Sequence, residues 1–170
     1  IANPGLVEDL QSYAAQQPMM ARNFCLEITE SAFLPSHPTI FHALQAIHAA
    51  GFPIFLDDFS AGYSTLASIT QLPLTAIKIA LDITQRAPQT QMDFRLFRHL
   101  VNMAHQLNLN IIAEGVETQE MHDLALATGC TQTQGYFYAR PLPFTAFQNL
   151  VQEQKEWCDY PFGLEYLAQF

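Results

Sequence analysis

Basic residues are scarce in this chain: seven Lys and Arg stand against 16 Asp and Glu, for a formal net charge of −9. Nucleic acid and anionic membrane surfaces attract cationic patches, so that balance excludes both as general partners. An anionic small ligand stays compatible where metal ions offset the acidic residues locally. Cysteine is rarer still. Cys25, Cys130 and Cys158 show no paired spacing and no CxxC, so the expectation is buried thiols in a reducing cytoplasm rather than a disulfide framework. No apolar run reaches bilayer length, and direct membrane insertion is not expected. The opening residues Ile1-Ala2-Asn3-Pro4-Gly5 carry neither the basic region nor the apolar block of a signal peptide. An initiating Met is also missing, which points to a chain taken from within something larger. Charged residues make up only 14% against 49% hydrophobic, the ratio of a globular chain rather than a disordered one. A length of 170 residues fits one domain with a substantial core.

Helical and apolar extended stretches alternate along most of the sequence. Helices are expected over about 4–16, 39–50 (ended by Gly51), 64–70, 92–106, 118–128 (ended by Gly129) and 144–155. Strands are expected at 24–28, 53–57, 75–79, 110–114 and 131–135. Short, continuous apolar strands between helices belong in a parallel sheet covered by helices, so the fold class is α/β. The chain supplies about five βα units, whereas a closed (β/α)8 barrel needs eight and roughly 250 residues. Two architectures stay open: a barrel without its first units, or an open doubly wound sheet.

Acidic residues collect where these strands end. Glu27 lies in Leu26-Glu27-Ile28-Thr29-Glu30, Asp57 and Asp58 close the second strand, and Glu114 and Glu117 follow the fourth in Ala113-Glu114-Gly115-Val116-Glu117-Thr118. Gln134 follows the fifth. In a parallel α/β barrel the C-terminal strand ends meet on one face, where active sites form. Carboxylates gathered there repel one another unless cations bind, and hard oxygen ligands suit Mg²⁺ or Mn²⁺. Adjacent carboxylates such as Asp57 and Asp58 suit a two-metal site for attack at phosphorus. Taken one at a time, each acidic residue also fits a helix cap or a solvated loop. Lys78, inside the apolar run Ala76-Ile77-Lys78-Ile79, needs a partner charge if it is buried.

Five segments in order resemble the EAL domain family. Leu26 to Ser31 resembles its E-x-T-E segment, and Leu56-Asp57-Asp58-Phe59-Ser60-Ala61-Gly62-Tyr63-Ser64-Thr65-Leu66 its DDFGTGYSSL loop. Leu72-Pro73-Leu74 through Ile77-Lys78-Ile79 resembles LPVDxLKID, and Ala113 to Thr118 reads AEGVET. Gly129-Cys130 through Gln134-Gly135-Tyr136-Phe137 to Arg140-Pro141-Leu142-Pro143 resembles the family's last motif. Each piece alone is weak; five in family order, to about Leu150, are specific. The resemblance implies a (β/α)8 TIM-like barrel, present here without its first strands, that hydrolyses cyclic di-GMP to the linear dinucleotide with two Mg²⁺ or Mn²⁺ ions. Carried over by position, Glu27, Asp57, Asp58 and Glu114 are metal ligands, with Asp57 between the ions. Lys78 holds or polarises the attacking water, and Glu117 and Gln134 support metals, loop and phosphate from further out. The 58–64 loop, with Gly62, resembles the segment that couples the metal site to dimerisation, which makes a homodimer an expected state. A sensory or GGDEF domain alongside, and a bacterial cytoplasmic location, complete what the family implies. None of the six His residues lies in a matched motif, and all are expected to decorate helices.

The match has gaps. The family's name-giving Glu-Ala-Leu strand and the strand of its ligand Asn have no counterpart, and Asn3 does not match the latter. Ala80 stands where the family has Asp, Asp82 comes two residues late, and Ser60 replaces a Gly. Three readings follow: a phosphodiesterase in the intact parent with poor turnover by the 170-residue chain alone, a non-catalytic receptor or interaction module, or an inert fragment. The aromatic tail, Trp157 to Phe170, is expected to pack on the barrel, with a partner surface as the alternative.

Overall fold

The computed structural model describes residues 5–29, 38–60 and 69–153. The expected helix at 64–70, the residues Glu30, Ser31 and Gly62, and the aromatic tail therefore fall wholly or mostly outside the described residues.

Seven helices and five strands are described. They are α1 (Leu6–Gln16), α2 (Pro18–Ala21), β1 (Leu26–Thr29), α3 (Pro38–Ala49), β2 (Ile54–Phe59), β3 (Ala76–Ile79), α4 (Leu81–Arg86), α5 (Gln91–Gln106), β4 (Asn110–Ala113), α6 (Gln119–Thr128), β5 (Gln132–Thr133) and α7 (Phe144–Glu153). The local reasons are legible. Thr90 caps α5, its Oγ1 accepting from Asp93 N at 3.1 Å, and Thr118 caps α6 by accepting from Met121 N at 3.2 Å. Gly129, at φ +107°, ends α6 in the left-handed conformation that a Cβ disfavours. Phe97, Leu100, Val101 and Ala104 give α5 one buried face at helical spacing.

Two helices were not foreseen. α2 is a single turn, and α4 is six residues without an apolar period, opened by Ala80 with no side-chain cap. Strand β1 runs from Leu26 to Thr29 rather than from residue 24, and β5 is only two residues long. Phe24 and Cys25 precede β1, and both are exposed. The expectation of buried thiols is thus corrected for Cys25. Cys130 is buried, which pushes its thiol pKa up to about 12, and Cys158 lies outside the described residues.

All four strand pairings are parallel, and the order is β1-β2-β3-β4-β5. A doubly wound sheet reverses its strand order at a switch point; this one never does. Each new strand adds on the same side, as in a TIM-like barrel, and the sheet is not closed: β1 and β5 are its edges among the described residues. The structure is an incomplete barrel.

Register divides the two sheet faces. Glu27 pairs with Phe55, Phe55 with Ala76, and Ala76 with Asn110, while Thr29 pairs with Asp57 and Lys78 with Ile112. Alternation then places Glu27, Asp57, Lys78 and Ile112 on the concave side. Ile28, Ile54, Leu56, Ile77, Ile79, Ile111 and Ala113 take the other side and form the core with helix residues such as Leu44, Ile47, Phe97 and Val101. Each fully buried aliphatic or aromatic side chain there contributes about 1.5–3 kcal/mol. This apolar layer is the platform on which the concave, charged side is held.

Candidate active site

Lys78 is the centre of the concave face. It sits on β3, the most enclosed strand, with only 4% of its surface exposed. Its Nζ lies 2.8 Å from Glu114 Oε1, 2.9 Å from Asp57 Oδ1 and 3.0 Å from Glu27 Oε1. Burial by itself would push the ammonium pKa down. Hydrogen bonds to Glu114, Asp57 and Glu27 outweigh it, and the pKa lies above the ordinary lysine value. Lys78 is therefore a fixed cation at any physiological pH. The three carboxylates come from three other places in the sheet, β1, β2 and the end of β4, so only the folded chain brings them together.

A bulge in β2 delivers a fourth. Between the pairs Leu56↔Ile77 and Phe59↔Ile79, β2 spends three residues where β3 spends two. The extra residue falls at Asp57-Asp58, and Asp58 takes φ +54°. A bulge re-aims side chains locally, and Asp tolerates the left-handed region better than most residues. Neighbouring positions on a regular strand point to opposite faces. Here Asp57, Asp58 and Glu114 each offer an oxygen within 4.8 Å of the others.

This trio fits a divalent cation on independent grounds. Asp57 Oδ1 is buried, and the partner the structure gives it is the Lys78 ammonium at 2.9 Å. Three carboxylates share that one ammonium, so several of their lone pairs stay unused, and a hard cation would satisfy them. Mg²⁺, Mn²⁺ and Ca²⁺ all accept such an oxygen-only donor set.

The turn after β4 sets Glu114. Its amide donates to Ile79 O at 3.3 Å. Gly115 follows at φ +67°, and a Cβ there would lie 2.5 Å from Leu81 Cγ. Val116 is buried, donating its amide to Gln134 O at 3.0 Å and accepting from Phe137 N at 3.0 Å. Glu117 stands outside the charge cluster, exposed, and accepts from Gln85 Nε2 at 3.2 Å. Gln134 is exposed and is held by its backbone, its amide donating to Ala113 O at 2.9 Å. Of the seven residues singled out from sequence, the structure joins Glu27, Asp57, Asp58, Lys78 and Glu114, and leaves Glu117 and Gln134 at the margin.

Two features were not legible in the sequence. Gln85 lies 32 positions from Glu117, on a helix that gave no periodic signal. The histidines are not all surface ornament either. His105 Nε2 meets Gly129 O at 2.9 Å. His122 is half-buried, stacks on Phe137 and places Nδ1 2.6 Å from the Tyr138 hydroxyl. That hydroxyl also bonds Thr133. Burial raises the Tyr138 pKa despite the opposing hydrogen bond from Thr133.

Residues 1–141 match the EAL domain. The chain belongs to the EAL domain family. It is similar to the cyclic di-GMP phosphodiesterase NbdA of Pseudomonas aeruginosa, 30% identical over 152 residues, which is 89% of this chain and 19% of that protein. It is also 30% identical over 142 residues to MucR of the same species, named a bifunctional diguanylate cyclase/cyclic di-GMP phosphodiesterase, with 84% of this chain and 21% of that protein covered. The PaMucR phosphodiesterase structure, a c-di-GMP complex, superposes with a TM-score of 0.77 at 29% identity, covering 86% of this chain and 59% of that one. Klebsiella pneumoniae BlrP1, solved as a manganese/cy-diGMP complex, gives 0.72 at 25% identity, covering 82% and 36%. The chain thus spans about a fifth of the length of these curated relatives.

Proposed function

We propose that this chain is the metal-binding part of an EAL phosphodiesterase domain that hydrolyses cyclic di-GMP to the linear dinucleotide. The observation that carries the reading is the convergence of Glu27, Asp57 and Glu114 on the buried Lys78, with Asp58 brought beside them by the β2 bulge. A cluster so rich in carboxylates and so poor in cations is matched to positive ligands, and the family supplies a phosphodiester as the anion they neutralise.

Glu27, Asp57, Asp58 and Glu114 would hold two Mg²⁺ or Mn²⁺ ions. Such ions supply charge neutralisation at the phosphodiester and water activated at neutral pH. The protein's own residues do the rest. Lys78, protonated, turns one of its three N–H bonds from a carboxylate to the attacking water oxygen and orients it towards phosphorus. Water adds across one P–O bond: its oxygen joins phosphorus, and the departing ribose oxygen ends protonated as a hydroxyl. Developing negative charge on the phosphoryl oxygens is met by the fixed Lys78 charge at no reorganisation cost. Glu117 and Gln134 act from the margin, steadying the turn that carries Glu114 and the approach of the phosphate. The protein works in the bacterial cytoplasm beside a sensory or GGDEF domain, as a homodimer.

A second reading, binding without cleavage, draws on Ala80. It opens α4 without a side-chain cap, at the position where the family resemblance has Asp, two residues from Lys78. The same experiment separates the readings. The chain, and a version extended N-terminally, are incubated with cyclic di-GMP and Mn²⁺, and linear product is followed by chromatography beside Glu27→Ala and Asp57→Ala controls. Cleavage by the extended protein alone, abolished in both controls, is expected. Binding without cleavage makes the domain a receptor. Neither binding nor cleavage sinks both. Turnover by the 170-residue chain at the extended protein's rate would refute the dependence on a closed barrel.

A further inference from the structure

Helix α4 touches the Glu114 turn at two points that share one face. Leu81 and Gln85 are four residues apart, so their side chains lie one above the other on the helix. Leu81 covers Gly115 closely enough that a Cβ there would meet its Cγ at 2.5 Å. Gln85 Nε2 donates to Glu117 Oε1 at 3.2 Å. The turn 114–117 is thereby gripped at its second and fourth residues, while Glu114, its first, reaches Lys78 at 2.8 Å.

Helix α4 is also tied directly to Lys78. Ala80, two residues after Lys78, opens the helix, accepts from Thr84 N at 3.2 Å and donates its amide to Phe59 O at 3.2 Å. One short rigid element therefore connects the strand of Lys78, the bulged end of β2 and the turn of Glu114. Without the grip, the turn is held among the described residues by the Glu114–Lys78 ion pair, the buried Val116 side chain and three backbone bonds, Glu114 N to Ile79 O, Val116 N to Gln134 O and Phe137 N to Val116 O. None of these holds the Glu117 side chain against α4.

We infer that Gln85, with Leu81, is a positioning residue: it clamps the 114–117 turn through Glu117 and so sets where the Glu114 carboxylate stands relative to Asp57, Asp58 and Lys78. The effect on the cation site rests on the phosphodiesterase reading; the clamp itself does not. Gln85 contacts none of the proposed cation ligands, so it acts only through the turn.

The test uses the N-terminally extended protein with three changes: Gln85→Ala, Gln85→Glu, and the exchanged pair Gln85→Glu with Glu117→Gln. The exchanged pair keeps one donor, one acceptor and the same net charge, with the hydrogen bond reversed. Amide hydrogen exchange and Mn²⁺ titration calorimetry are read on each. Gln85→Ala should speed exchange of the Glu114 and Val116 amides about fivefold, the worth of one hydrogen bond, with the Ile77 and Ile111 amides unchanged. Mn²⁺ binding should weaken by a similar factor. Gln85→Glu alone should do more, because two carboxylates then face each other, and the exchanged pair should restore both readings. Unchanged exchange, uniformly faster exchange, or failure of the exchanged pair to restore it would overturn the inference. So would loss of protection with Mn²⁺ affinity intact. An unaltered protein that binds no Mn²⁺ overturns the phosphodiesterase reading instead, and the exchange data then decide the clamp by themselves.

Discussion

Replacing Lys78 with Met keeps most of the side-chain volume and removes one charge from the middle of three carboxylates. In the folded chain Lys78 is buried, while Asp57 and Glu114 keep only 21% and 16% side-chain exposure. Glu27, at 43%, is screened by solvent and adds little. Breaking a buried ion pair by deleting one partner costs about 3–5 kcal/mol, because the other charges stay buried and uncompensated. For a chain of this size each kcal/mol lowers Tm by about 2–4 °C, so Lys78→Met should melt about 10 °C below wild type in EDTA. The pH dependence follows from the raised Lys78 pKa. A raised lysine contributes stability that is complete below its unfolded value and fades only as pH rises through the folded one. The deficit should then be constant from pH 6 to pH 9. Thermal unfolding by circular dichroism checks both points. Divalent cation should also narrow the gap, since it supplies the charge that Met lacks. A Lys78→Met protein as stable as wild type in EDTA would refute the reasoning, for the three carboxylates would then need no cation between them.

Further outcomes are specific. Mn²⁺ at a hundred times its Kd should stabilise the extended protein by about 2.7 kcal/mol, and Asp58→Ala should remove most of that shift; an equal shift in the variant would take Asp58 out of the ligand set. Gly135→Ala places a Cβ 2.0 Å from Val116 O and 2.4 Å from Val116 N. Backbone cannot step aside cheaply, so urea denaturation should show a loss at or above the upper end of about 1–3 kcal/mol. Thr118→Ala should cost about 1 kcal/mol through the lost cap of α6, read from the same curves. Asp93 is held below the usual carboxylate range by its hydrogen bond from Thr90 and then by Arg86. A depressed carboxyl stabilises above its unfolded pKa and loses that contribution as pH falls through the folded one. Asp93→Asn should therefore melt lower than wild type at pH 7 and converge with it below about pH 4.

Much of the site was legible because strand-end acidity and an apolar run around Lys78 are local patterns. Glu114 follows β4, Asp57 and Asp58 lie near the end of β2, and Glu27 is the second residue of β1, in a parallel sheet whose alternation sends these positions to one side. Lys78 was conspicuous because burying an ammonium demands partners. The short apolar strands were legible too, to within a residue or two at their ends. What failed lay at short or aperiodic elements. Helix α4 has six residues, and β1 begins two residues later than its apolar run, leaving Phe24 and Cys25 exposed. Gln85 gave no signal, since a polar residue on a helix has many partners open to it until the fold chooses one.

The sequence by itself determined the α/β class, the number of strands, the helix end at Gly129, and which acidic residues lie in or beside the strands. These depend on neighbours within a few positions. Only the tertiary structure decided between a barrel layer and a doubly wound sheet, because strand order is a relation among elements and not a property of any one. It alone decided that β2 spends an extra residue at Asp57-Asp58, which turns two adjacent carboxylates towards one site. It alone decided that Glu27, Asp57 and Glu114, 87 positions apart at the extremes, close on one ammonium within 3.0 Å. Charges separated that far in the chain meet only when the apolar layer behind them has paid for ordering the strands that carry them.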